Sequence, residues 1–160
     1  MLRRSSLTPE QALQKARHYC AYQERCHTEV KEKLYSFGLH KKDVEAALST
    51  LIEENYLNEE RFAIQFSGGR FRMKQWGRVK IRYELKQKQV GEYCIKKALA
   101  AIDEDDYRKT LEKLAARKWA TLQKEGEKSY IRRHRLQEYL QQKGYETDLV
   151  AGVVREIEKT

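Results

Sequence analysis

Residues 30–51 read Val30-Lys-Glu-Lys-Leu34-Tyr-Ser-Phe-Gly38-Leu39-His-Lys-Lys-Asp-Val44-Glu-Ala-Ala47-Leu48-Ser-Thr-Leu51. Val30 and Leu34 stand one helical turn apart, Gly38 suits a left-handed helix end, and Val44, Ala47, Leu48 and Leu51 keep the spacing of a second apolar helix face. A helical hairpin is expected. Fifty-one residues further on, the same seven positions are Ile81, Leu85, Val90, Ile95, Ala98, Leu99 and Ile102, without a gap. They return again as Leu136, Leu140, Tyr145, Val150, Val153, Val154 and Ile157, with Gly144 in the place of Gly38. One hairpin is present in three copies, the signature of a repeat architecture.

Working outward, each hairpin follows a longer helix whose start is marked. Thr8-Pro9-Glu10-Gln11 has a hydroxyl N-cap, Pro at the first helical position and Gln where a capping box needs it. This helix is expected to run to about Glu24, and Thr28 is expected to cap the next. Asn58-Glu59-Glu60 and Asp103-Glu104-Asp105-Asp106 put a cap and acids into the first turns of the corresponding later helices, where the helix dipole favours negative charge. Strand alternation and Asn-Gly or Asp-Gly hairpin turns are missing. The expected fold is all-α: three tandem three-helix, helix-turn-helix-like repeats at residues 1–57, 58–102 and 103–160, forming an elongated, slightly curved rod. Small units of this kind bury little surface alone and share packing with their neighbours.

Composition excludes several classes. The 160 residues hold one Pro and eight Gly, too few for collagen-like or linker sequences, and no apolar run approaches the ~20 residues of a spanning helix. Met1-Leu2-Arg3-Arg4-Ser5-Ser6 carries charge with no apolar stretch behind it, so a secretory signal is not expected and the protein is expected in the cytoplasm. Cys20, Cys26 and Cys94 are then expected as thiols. Cys20 continues the apolar row Leu13, Ala16, Cys20, and with no C-x2-C pair neither metal nor cofactor is expected.

Charge is the feature that points to function. The 33 Lys and Arg against 24 Asp and Glu leave +9, and the partition by repeat is +1, +7 and +1. The middle excess is dense: Arg70, Arg72, Lys74, Arg78, Lys80, Arg82, Lys86 and Lys88 are interrupted by one acid, Glu84. With Ile81 and Leu85 facing the core, Arg78, Arg82 and Lys86 are expected as a solvent-facing row. Like charges so spaced repel by ~0.2–0.5 kcal/mol per pair, which a docked anion would offset. The bland alternative is a solvated basic face. A secondary basic patch, Arg132, Arg133 and Arg135 around His134, is partly compensated by Glu125, Glu127 and Glu138.

Phe71 and Trp76 interleave with the cations, as in single-strand binders that stack bases on aromatic rings. Trp76 has two readings, a stacking platform or packing beside the Gly77 turn. Gly68-Gly69 inside a helical segment implies a kink or a close backbone approach. No catalytic signature is present: there is no Gly-rich phosphate loop, no G-x-S-x-G and no H-E-x-x-H, and the four histidines are scattered. Asp103-Glu104-Asp105-Asp106 carries the letters of a nuclease signature, but consecutive helical acids point in different directions and read as helix-start chemistry.

Specific motifs sit on this frame. Glu29-Val30-x-x-Lys33-Leu34, then Asn55-Tyr56-Leu57-Asn58-Glu59-Glu60-Arg61-Phe62-Ala63, then Trp76-Gly77-Arg78-Val79-Lys80-Ile81-x-x-Glu84-Leu85, and finally Leu140-x-x-Lys143-Gly144-Tyr145 make the chain resemble the RecX regulatory proteins from about Glu10 to Ile157. Two positions depart from the family pattern: Asn55, where Gly is common, and Gln89, where Gly often precedes the apolar residue. With no evident dimer seam a monomer is expected, and the resemblance implies a non-enzymatic modulator that lies in the groove of the RecA filament on single-stranded DNA. It would suppress the filament's ATPase, strand exchange and coprotease activities in DNA repair and recombination, with weak, non-specific binding to single-stranded DNA. Two other readings remain open on sequence: a sequence-specific helix-turn-helix transcriptional regulator and a purely structural adaptor.

Overall fold

The computed structural model describes residues 6–159. Among these residues there are nine helices and no strand: α1 (Pro9–Tyr22), α2 (His27–Ser36), α3 (Lys41–Glu53), α4 (Glu59–Lys74), α5 (Arg78–Gln87), α6 (Glu92–Ala100), α7 (Glu104–Lys124), α8 (Ser129–Gln142) and α9 (Thr147–Glu158). The fold is all-α. Of the three sets of seven repeated positions, all are buried except Leu48, Val153 and Ile157, which are half-buried. The hairpin turns also match: Gly38 and Gly144 have φ of +88° and +99°, and Gln89, at the equivalent point of the middle copy, has +61°. Asn55 likewise adopts +63°. Both departures from the family pattern therefore keep the left-handed turn, at the conformational cost a side chain carries there.

The chain forms two compact units, one running up to Gln65 with Leu85–Lys97, the other comprising Phe66–Glu84 with Ala98 onward. In the first, α1, α2 and α3 pack pairwise around Ala12, Ala16, Cys20, Val30, Leu34, Val44 and Leu51. The capping box at Thr8 is complete: its hydroxyl accepts from Gln11 N at 3.2 Å, and Gln11 Oε1 accepts from Thr8 N at 3.1 Å. Arg61 ties the Asn55–Asn58 turn in place, donating to Glu24, to Asn55 O (3.1 Å) and to Tyr56 O (3.3 Å). Two boundaries differ from expectation. α1 stops at Tyr22, because Gln23 is extended. Cys26, not Thr28, occupies the N-cap of α2, and the Thr28 hydroxyl lies inside the first turn, donating to Lys88 O at 3.1 Å. A distant carbonyl outcompetes the local cap there.

In the second unit α7, α8 and α9 pack pairwise around Tyr107, Leu111, Ala115, Leu136, Leu140 and Val150. Asp103 caps α7, accepting from Asp106 N at 3.0 Å. Val153 and Ile157 are half-buried because they line an open groove with Leu111 and Leu149. α4 runs through Gly68-Gly69 without interruption, and no backbone approaches closely there: the space beside Gly68 is taken by the Arg72 guanidinium, and nothing among the described residues lies within 4 Å of a Cβ on Gly69.

All three cysteines are thiols. Burial pushes the Cys20, Cys26 and Cys94 thiols up from their ordinary range, lowering their thiolate fraction, but only Cys94 has appreciable exposure. Iodoacetamide at neutral pH is therefore expected to alkylate Cys94 first, with Cys20 and Cys26 following only as the fold opens. Equal rates at all three, followed by mass spectrometry, would contradict this packing. No helix among the described residues is long and apolar enough to cross a membrane, and no His, Cys, Asp and Glu cluster among them could hold a metal ion.

Candidate nucleic-acid interface

The Trp76-Gly77-Arg78 motif lies at the turn between α4 and α5, and Lys143-Gly144-Tyr145 lies at the turn between α8 and α9; both belong to the second unit. They interlock through the backbone. Gly77 N donates to Lys143 O at 2.7 Å, Val79 N to Gly144 O at 2.9 Å, the Tyr145 hydroxyl to Gln75 O at 2.9 Å, and Lys143 Nζ to Lys74 O at 3.3 Å. The approach requires glycine on both sides. A Cβ on Gly77 would strike the Gly144 carbonyl and Tyr145 N, and a Cβ on Gly144 would strike the Lys80 backbone.

Arg78 is drawn into this junction. Its backbone N–H donates to the Tyr107 hydroxyl at 3.0 Å, its Nη1 to Glu146 Oε2 at 2.8 Å and its Nη2 to Glu104, while the guanidinium lies 3.8 Å from the centre of the Tyr107 ring. The Tyr107 hydroxyl donates in turn to the other Glu146 oxygen, and its ring meets those of Phe71 and Tyr145. Burial, with the hydrogen bond to Glu146, pushes the Tyr107 phenol far above its ordinary range, so it remains a donor throughout the accessible pH range. Burial alone would lower the Arg78 pKa, but the bonds to Glu146 and Glu104 outweigh it and the net shift is upward. Arg78 therefore does not belong to a solvent-facing row with Arg82 and Lys86. Its side chain is 21% exposed and its charge is met by two carboxylates.

The other expected residues separate clearly. Arg70, Lys74 and Lys80 gather around the Trp76 indole, at 5.6, 5.5 and 4.5 Å from the ring centre, and none has a carboxylate partner among the described residues. Arg72 is exposed and Arg82 half-buried. Lys86 and Lys88 belong to the first unit, where Lys86 Nζ lies 4.0 Å from Glu92 and Lys88 Nζ 3.5 Å from Glu29. Trp76 is half-buried. In the secondary patch, Arg132 stacks 5.2 Å from the centre of the Trp119 ring, Arg133 pairs with Glu158 at 3.1 Å, and Arg135 pairs with Glu127 and Glu125 at 2.8 and 3.3 Å. It is largely neutralised within the fold. Tyr107, Glu104 and Glu146 are the residues that reading by repeat missed: counting charge per repeat conceals pairing between one repeat and the next, and the one visible hint is the acid-rich start of α7.

Both interlocking motifs fall inside recognisable sequence domains. Residues 58–99 match the family model "RecX, second three-helix domain", and residues 104–154 match "RecX, third three-helix domain". The chain is 34% identical over 124 residues to regulatory protein RecX of Vibrio parahaemolyticus, covering 77% of this chain and 76% of that protein. The chain belongs to the RecX family. It is also 33% identical over 129 residues to regulatory protein RecX of Clostridium perfringens, covering 81% of this chain and 60% of the clostridial protein, so the match spans little more than half of that longer relative. The fold is that of the crystal structure of RecX from Lactobacillus salivarius, with a TM-score of 0.85 over 95% of this chain and 97% of the other at 18% identity. The Trp76 and Gly144 turns thus lie within the part of the chain that carries the RecX family likeness.

Proposed function

We propose that this chain is a non-enzymatic regulator of the RecA recombinase, binding the filament on single-stranded DNA and suppressing its ATP hydrolysis, strand exchange and coprotease activities. The family membership supports the class of partner, and the observation that carries the physical reading is the cluster of Arg70, Lys74 and Lys80 left without carboxylates around a half-buried Trp76. Such a cluster is attracted to a polyanion, and several weak contacts along one regulator raise avidity without a tight pocket. Arg72, Arg82, Lys86 and Lys88 add to the long-range attraction, whereas Arg78 acts by holding the turn.

A transcriptional regulator would need base-reading side chains on the third helix of a unit. α6, the third helix of the basic repeat, exposes Lys96 and Lys97, which could reach guanine, but holds no Asn or Gln to read adenine. The test is recombinase ATP hydrolysis on single-stranded DNA, titrated with this chain at two salt concentrations. Inhibition is expected, weaker at the higher salt, and Lys74→Glu with Lys80→Glu is expected to weaken it about tenfold or more. Undiminished inhibition by the double variant at moderate salt removes these residues from the interface, and no inhibition by the parent chain removes the function.

A further inference from the structure

We propose that Trp76, Arg70, Lys74 and Lys80 form a one-nucleotide subsite for single-stranded nucleic acid, with a base stacked on the indole and the flanking phosphates held by the three cations. This deepens the functional reading above and relies on it only for the biological setting.

Four observations carry the proposal. First, the cluster differs from the arginines that the fold neutralises in this unit. Arg78, Arg133 and Arg135 each meet carboxylates, while Arg70, Lys74 and Lys80 meet an aromatic face instead. Second, the Arg70 Nε–H is buried without a hydrogen-bond partner, and its guanidinium is confined between Phe66 (4.6 Å) and Trp76 (5.6 Å). The Arg132 Nε–H over Trp119 is likewise buried without a partner, so what sets Arg70 apart is that Lys74 and Lys80 share its indole. Third, Trp76 is half-buried and keeps part of its surface open, whereas Trp119 is 7% exposed and packs in the core. Fourth, the turn carrying Trp76 is fixed from both sides. Gln75, at φ +58°, has its carbonyl held by Tyr145, and Gly77 N is held by Lys143 O, so the indole is presented on a rigid element.

The chemistry is specific to a nucleotide. A simple anion or an acidic peptide would satisfy the cations but leaves the indole unused. A nucleotide supplies a π face for the indole and phosphates for the ammonium and guanidinium groups, which then exchange cation–π contacts for charge-assisted hydrogen bonds. Such stacking is tolerant of sequence, because every base has a face.

The experiment uses the full chain and fluorescence anisotropy with labelled (dT)12, an abasic sugar–phosphate oligomer of equal length, and (U)12, over a salt series. Trp76→Ala is expected to weaken (dT)12 binding about tenfold or more with an unchanged salt slope, and Trp76→Phe to retain most of the affinity. Lys74→Gln and Lys80→Gln are each expected to reduce the salt slope by about one. The abasic oligomer is expected to bind the parent as weakly as (dT)12 binds Trp76→Ala; (U)12 binding close to (dT)12 identifies a subsite for either sugar. Trp76→Ala binding within twofold of the parent, equal binding of the abasic oligomer, or equal competition by polyglutamate would overturn the subsite. Recombinase inhibition measured on the same variants separates the two readings. Intact inhibition with unchanged (dT)12 binding by Trp76→Ala removes the subsite alone, and absent inhibition by a parent that binds (dT)12 through Trp76 removes the regulator alone.

Discussion

Gly144→Ala is expected to lower the stability of the second unit by about 2–5 kcal/mol, a large share of the ~5–15 kcal/mol of a typical domain. Two costs combine. A φ of +99° is strained for any residue with a Cβ, at about 1–2 kcal/mol. The new methyl would also collide with the Cβ, N and Cα of Lys80. Those atoms belong to the first turn of α5 and cannot rotate aside, so the collision adds the ~1–3 kcal/mol of an overpacked contact. Gly77→Ala meets the same junction from the other side without a positive φ and should cost less. Gly152→Ala is the control. Nothing lies within 4 Å of its added methyl, it sits inside α9, and replacing a mid-helix glycine gains about 0.5–1 kcal/mol. Urea denaturation followed by circular dichroism ranks the three. A Gly144→Ala midpoint equal to that of the parent would mean that the two turns do not touch.

Why glycine occupies those two positions was only half legible in the sequence. Gly144 repeats Gly38, so its left-handed conformation follows from the hairpin pattern, and Gln89 keeps that turn without a glycine. The burial of Val30, Ile81 and Leu136 follows from the same pattern, because apolar periodicity reports which face is covered. Periodicity does not report which element covers it. That Gly77 and Gly144 meet, that Tyr107 lies between Arg78 and Glu146, and that Thr28 reaches Lys88 are facts about partners distant in sequence. Charge shows the same limit. The +7 of the middle repeat was visible, but the sum treats Arg78 and Lys80 alike, although one is met by two carboxylates and the other by an indole. The candidate site consists of the cations around Trp76 that no carboxylate meets among the described residues.

Arg78→Ala is expected to destabilise the second unit by about 1–3 kcal/mol, below the ~3–5 kcal/mol of a fully buried pair because its side chain keeps 21% exposure. The loss has named parts. Glu146 keeps the Tyr107 hydroxyl but loses the cation that balances its charge, Glu104 is left with Arg108 alone at 3.5 Å, and the Tyr107 ring loses the guanidinium stacked on it. Glu146→Gln should cost less, since an amide oxygen can still accept from Tyr107 while Arg78 keeps Glu104. Arg78→Glu should cost most, setting a third carboxylate beside the two. A double-mutant cycle between Arg78 and Glu146 is expected to show coupling of ~1 kcal/mol or more that survives moderate salt, because partly buried pairs are poorly screened. Coupling within ~0.3–0.5 kcal/mol of zero would make the pair independent and return Arg78 to the group of cations offered to a partner. The same energetics govern charge reversal at Arg78. Reversing Arg78 together with Arg82 and Lys86 would abolish binding by loosening the turn that carries Trp76, whereas reversing Lys74 and Lys80 leaves the junction intact and removes only the unpaired charge. Loss of recombinase inhibition in the second pair at unchanged stability therefore locates the interface, and the same loss in the first set reports the fold.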